Sequence, residues 1–226
     1  MTFISRRDLL KSAVAAAAAP AASRVVQGSE PQADAAAHAH SAGAGPMQTA
    51  IRREPLEHLT AAESDVLEAI VARLIPNDAL GPGAVEARAT HYIDRALGGA
   101  LSASRPAYQA GLAALDRYAR SSRGAPFVDL SPTDQDSVLI DVETGAATGF
   151  TGSSAAFFNL VLNHTHQGTF GDPYYGGNAN FIGWDLIKYP GVRTMVSASD
   201  QKQLEANGMK PNHKSAYDYE SFIKAQ

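Results

Sequence analysis

The residues equipped for chemistry gather between Ser153 and Gly191 of a 226-residue chain. His164, His166, Asp172 and Asp185 are of the types that build a His/carboxylate metal shell. His164 and His166 stand at i and i+2, and on a helix such side chains diverge by ~200°. They can share an ion only past a helix end, and no His-Glu-x-x-His pair supports a helix-borne site. Solvated or hydrogen-bonded histidines are the simpler reading of the pair. Ser153 and Ser154 follow Gly152, but "FTGSSA" lacks the Gly-x-Ser-x-Gly turn between strand and helix that exposes a nucleophile. Capping the next helix is their simpler role. Asp172 with His166 could perform acid–base work if both reached a substrate. Gly176-Gly177-Asn178 lacks the Gly-x-Gly-x-x-Gly spacing of a dinucleotide loop, and positive-φ turns explain it without a ligand. Two rival readings rest here. One is an independent metal-assisted enzyme using His164, His166 and Asp172, and the other a sugar-binding protein using the His164–Trp184 region.

What else this stretch holds is aromatic: Phe170, Tyr174, Tyr175, Phe181, Trp184 and Tyr189. Asp172-Pro173 reads as an extended or turn dipeptide, and Pro190-Gly191 suits the centre of a type II turn. The rings offer contact area for a partner or a cover for one end of a core, and both uses stay open.

The elements that must hold this loop are helical. Thr60 and Glu63 have capping-box spacing ahead of a stripe of Val66, Leu67, Ile70, Val71, Leu74 and Ile75, ended by Pro76. A second helix is expected over 84–97, with Val85, Tyr92, Ile93 and Leu97 inward and Gly98-Gly99 as its stop. A third is expected over 106–120, with Tyr108, Leu112, Leu115 and Tyr118 on one side. A fourth starts at Ser131-Pro132, buries Val138, Leu139 and Val142, and closes at Gly145. A fifth starts at Ser153 or Ser154, carries Phe157, Phe158, Leu160, Val161 and His164, and takes Gly168 as its C-cap. A short helix is expected over 200–207, within a polar, tyrosine-bearing tail. No strand alternation is long enough for a sheet. The fold class is all-α: about five helices, a long ordered Gly/Pro/aromatic loop and an irregular C-terminal tail.

The N-terminus reads as an address. Arg6 and Arg7 precede Leu9, Leu10, Lys11 and an alanine-rich run, an order that resembles a twin-arginine export signal. That run is too short and alanine-rich for a membrane span, which needs ~20 apolar residues. Cleavage candidates occur at 19–21, 35–37 and 37–39. The expected organisation is a signal and pro-segment over 1–39, a flexible linker over 40–55 and a helical domain over 56–226. His38 and His40, in the spacer, make a weak metal tract at most. The formal charge of −4, with no basic cluster beyond the N-terminus, argues against nucleic acid as a partner. The absence of cysteine excludes disulfides, thiolate zinc sites, Fe–S clusters and thioether haem attachment through this chain.

The run "HTHQGTFGDPYYGGNANFIGWDLIKYPG", His164 to Gly191, resembles the signature of the gluconate 2-dehydrogenase subunit 3 family. The matching elements are Gly168 with Phe170, Asp172-Pro173, Tyr175-Gly176-Gly177-Asn178, Gly183-Trp184 and Tyr189-Pro190-Gly191. "ARLIPND", Ala72 to Asp78, fits the family's opening helix. Thr169 stands where the family commonly has an aromatic, and Lys188 where a small residue is expected. The resemblance implies a small subunit of a periplasmic or membrane-linked sugar or polyol dehydrogenase, without catalytic, cofactor or metal residues of its own. It implies a large flavoprotein partner of the glucose-methanol-choline type, which carries FAD and the catalytic histidine, and often a cytochrome c subunit. It implies further that Arg6 and Arg7 carry the pair to the twin-arginine translocon. The loop residues Phe170, Asp172, Pro173, Tyr175, Gly176, Gly177, Asn178, Trp184, Tyr189, Pro190 and Gly191 would then contact the partner or shape the surface that does.

Overall fold

Thr60 opens the first helix, α1 (Ala61–Leu74), through the capping box that its spacing predicts. Its Oγ1 accepts from the Glu63 N–H at 3.3 Å, and Glu63 Oε2 accepts from the Thr60 N–H at 2.9 Å. A computed structural model describes residues 56–219. Arg6 and Arg7, the three cleavage candidates, His38, His40, the 1–39 and 40–55 segments and the last seven residues of the tail lie outside the described residues.

The second helix is shorter than the composition suggests. It runs Ala89–Ala96 (α2), and residues 84–88 form a tight turn instead. The reason is a long-range contact. Ala84 N–H donates to Ile75 O at 2.9 Å, folding the chain back on the end of α1, and a Cβ at Gly83 would collide with that carbonyl. Arg88 then takes a left-handed φ of 60° to redirect the chain into α2. Ile93 and Leu97 are buried as expected, while Val85 and Tyr92 pack against the core half-buried.

The third helix, α3 (Arg105–Arg123), ends at Gly124 with φ 81°, and buries Tyr108, Leu112 and Leu115. Phe127, in a 3-10 turn over Phe127–Asp129, is fully buried, a core residue that no periodicity marks. Its backbone is held at both ends, the N–H by Asp116 Oδ1 (2.9 Å) and the C=O by Gln135 Nε2 (3.0 Å). Helix α4 (Pro132–Glu143) begins at Ser131, whose Oγ accepts from the Asp134 N–H, and buries Val138, Leu139 and Val142. Arg73 and Asp136 join α1 to α4 by a bidentate ion pair at 2.8 Å. Helix α5 (Ser154–Phe170) packs most extensively on α2 and α4 and brings Phe157, Phe158 and Val161 to the same core. Two short helices follow, α6 (Ile182–Leu186) and α7 (Ala198–Glu205). The fold is all-α, with seven α-helices and no strand among the described residues, where about five helices were expected. Among those residues no helix is long and apolar enough to cross a membrane.

One buried charge ties the domain's first residues to this core. Asp94 on α2 is fully buried, and its carboxylate accepts three backbone N–H bonds, from Glu57 (2.7 Å), His58 (3.0 Å) and Leu59 (2.7 Å). It fixes the approach to α1 from 35 residues away. Asp94→Ala is expected to cost about 3 kcal/mol, because the substitution strands buried donors and removes charge-assisted bonds. Urea unfolding of the variant against the wild type measures it.

Candidate functional site

The aromatic loop grows out of the last turn of α5. Gly168 does not cap that helix, contrary to the expectation from sequence; the helix continues to Phe170 and Gly171 is its C-cap. Gly168 is a glycine because α2 lies against it, and a Cβ would stand 2.9 Å from Ala89 Cα. The last carbonyls of a helix lack intrahelical partners, and here the loop supplies one. Asn178 N–H donates to Gly168 O at 2.7 Å.

Asn178 is the loop's central tie. It is fully buried at φ 43°, a left-handed state that asparagine tolerates better than most residues. Its Nδ2 donates to Gly171 O and its Oδ1 accepts from Gly183 N–H, both at 2.8 Å. One side chain thereby joins the end of α5 to the start of α6. The flanking glycines follow from this closeness, since a Cβ at Gly177 would collide with Gly168 O and one at Gly183 with Thr169 O. Trp184 then lies buried, donating from Nε1 to Phe170 O at 2.8 Å, with Phe181 and Tyr189 against its ring. Lys188 has a left-handed φ of 56°, which gives a backbone reason for expecting a small residue there.

The tail returns over this loop. Asp172 caps the 3-10 turn Pro173–Tyr175 with Oδ1, which accepts from Tyr174 N–H at 2.9 Å. The same oxygen accepts from Ser215 Oγ at 2.6 Å, and Oδ2 accepts from Ala216 N–H at 2.9 Å. Tyr217 stacks on Tyr174 with centroids 3.7 Å apart, and its hydroxyl bonds that of Tyr175 at 2.8 Å. The bond to Tyr175, with desolvation second, pushes the Tyr217 phenol up to about 12, so it stays protonated at neutral pH. Further along, His213 stacks on Phe181 and its Nε2 lies 2.7 Å from Asp185 Oδ1. Pro190 O accepts from Asn212 N–H at 3.2 Å, beside Gly191 at φ 85°.

The residues first singled out for chemistry are not brought together. His164 is buried, with Nδ1 3.0 Å from the Tyr108 hydroxyl, while His166 is exposed on another face of α5 beside Phe170. Ser153 caps α5, its Oγ accepting from Ala156 N–H at 3.3 Å, and Ser154 is the helix's first residue. Among the described residues no group of three or more His, Cys, Asp or Glu is placed to hold a metal. Sequence reasoning missed the tail's part altogether. Ser215 and Asp218 have capping-box spacing, which marks a turn, but nothing local connects that turn to Asp172.

Burial lowers the His164 pKa below its ordinary value. The native state therefore resists a proton that the unfolded chain takes up near pH ~6.5. The unfolded state binds more protons in that window, so stability is full above it and falls as pH drops toward the folded pKa. Denaturation midpoints at several pH values check this, and His164→Gln is expected to flatten the slope below pH ~6.5. A second outcome concerns the glycines. Gly183→Ala sets a Cβ against the Thr169 carbonyl and is expected to cost about 3 kcal/mol or more. Gly145→Ala, at φ 81° with open space around it, is expected to cost only about 1 kcal/mol. Thermal melts of the two variants make the comparison.

The family model for gluconate 2-dehydrogenase subunit 3 matches residues 61–191, from the first residue of α1 to the glycine that closes the loop. No curated protein and no solved structure matches the chain. The matched span holds the close-packed glycines, Asn178, Asp172 and Trp184, and stops where the tail begins. The chain belongs to the gluconate 2-dehydrogenase subunit 3 family and is, by that membership, a subunit of a dehydrogenase complex.

Proposed function

We propose that this chain is the non-catalytic small subunit of a periplasmic, FAD-dependent sugar or sugar-acid dehydrogenase, and that it serves the export, maturation or stability of the catalytic flavoprotein. The observation that carries the reading is the family match across the whole loop, joined to Arg6-Arg7 in a twin-arginine-like context. The loop's polar groups favour a shaping role. Asp172 holds Ser215 and Ala216 with both carboxylate oxygens, Asn178 holds Gly171 and Gly183 with both amide atoms, and His164 Nδ1 faces the Tyr108 hydroxyl.

In this reading the partner is a flavoprotein of the glucose-methanol-choline type, and its FAD accepts the electrons of an alcohol C–H. A cytochrome c subunit takes those electrons onward. Arg6 and Arg7 address the assembled pair to the twin-arginine translocon, which moves folded proteins. A flavoprotein without a signal can then take up FAD in the cytoplasm and cross as a passenger. This chain contributes a folded helical body with an ordered loop for the passenger to hold.

Co-expression with a signal-less flavoprotein of the glucose-methanol-choline type from the same genome tests the reading. Flavoprotein activity is expected in the periplasm when both chains are present. It is expected to be cytoplasmic or lost when this chain is deleted, and both chains are expected to stay in the cytoplasm with Arg6→Lys and Arg7→Lys together. Full periplasmic activity without this chain would overturn the proposal.

A further inference from the structure

The side chains that shape the loop are not those that face outward. Asn178 and Trp184 are buried, and the Asp172 carboxylate is engaged by the tail. Tyr174 and Tyr175 are 54% and 51% exposed. Tyr217, from beyond the family span, joins them by stacking on Tyr174 and bonding Tyr175, and the Tyr174 and Tyr175 rings meet edge to face at 5.3 Å. Two segments more than 40 residues apart thus build one aromatic surface.

Its order favours binding. Each ring is fixed by the others, and Tyr217 is fixed further because Asp172 holds Ser215 and Ala216. Rings already immobilised lose little further freedom in a contact, and tyrosine is enriched among the residues that dominate interfaces. The chemistry left over is specific. Between the Tyr175 and Tyr217 hydroxyls one O–H is used internally, so the pair keeps one donor and free lone pairs. A cation stands alongside. Arg95, exposed on α2, covers Gly176, where a Cβ would lie 2.9 Å from its Nη1. It has no carboxylate partner among the described residues.

We propose that Tyr174, Tyr175 and Tyr217, with Arg95 beside them, form the docking surface for the catalytic subunit of the complex. The patch they meet presents a carboxylate to Arg95 and backbone or side-chain hydrogen-bonding groups to the phenols. The proposal rests on the accessory-subunit reading. It adds that the tail, which lies outside the family's matched span, supplies part of the surface.

The test is co-purification of the flavoprotein with tagged full-length chain from cells expressing both. Tyr174→Ala with Tyr175→Ala is expected to reduce recovery at least about tenfold, and Tyr217→Ala comparably. Arg95→Glu touches none of the tail's hydrogen bonds, so it separates lost docking from a loosened tail. It is expected to weaken recovery and to remove the salt sensitivity of binding. Leu80→Ala, an exposed apolar residue outside the surface, is expected to leave recovery unchanged. Melting temperatures of the isolated variants check that each is folded. If the wild type recovers the flavoprotein and the folded Tyr174/Tyr175 and Arg95 variants recover it equally, the docking surface is wrong while the accessory-subunit reading stands. If the wild type recovers no flavoprotein, both fall. Self-association of the wild type that the tyrosine changes abolish would assign the surface to a second copy and overturn the proposal.

Discussion

The C-terminal half of the domain depends on the approach of α5 to α2 at Gly168 and Ala89. With no side chain between them, the last turn of α5 is pressed against α2, and the carbonyls of Gly168 and Thr169 turn toward the loop. The loop can follow only by keeping its own backbone bare where it meets those carbonyls, at Gly177 and Gly183. Asn178 then fits beside them, its side chain donating to one backbone group and accepting from another. Trp184 is placed by the same geometry, because the turn that Asn178 closes carries the chain into α6. An interior this tightly determined gives a loop without regular structure the rigidity of a packed element.

Around that interior the structure separates two tasks. Amide, carboxylate and indole groups are turned inward to satisfy backbone partners, and the phenols are left at the surface. A binding surface benefits from this division, since its contact groups are oriented before the partner arrives. It also accounts for a sequence that looks catalytic, because the residue types able to hold a substrate are also those able to hold a backbone. The family resemblance named the setting, and the hydrogen bonds show what the residues do within it.

What could be read in advance follows the reach of each interaction. The starts of α1, α4 and α5 were legible because their caps are local, with Thr60 and Glu63, Ser131 and Asp134, and Ser153 each acting within three residues. The divergence of His164 and His166 followed from helical period alone. The start of α2 was misplaced because Ala84 bonds back to Ile75, and local composition carries no trace of that contact. Gly168 was misread for a related reason. A glycine near a helix end is compatible with a cap or a close approach, and only the position of α2 decides between them. The roles of Asp94, Phe127 and Tyr217 depend on partners brought near by the fold, so neither spacing nor period marks them. The reading of Arg6 and Arg7 rests on sequence alone.

The two-sided use of Asn178 bears on how the protein ages. Deamidation to aspartate changes the side chain by hardly more than one atom, yet it would replace the Nδ2 donor with an oxygen facing the Gly171 carbonyl. Two acceptors would then confront each other in a site closed to water, so a nearly isosteric lesion would break the loop open from within. The fold also hinders that chemistry. Deamidation proceeds by attack of the following backbone nitrogen on the amide carbon, and the Ala179 N–H is held by Ala87 O at 3.2 Å. The contact that seats the loop on the α2 side of the domain thereby also keeps its central amide from reacting with its own chain.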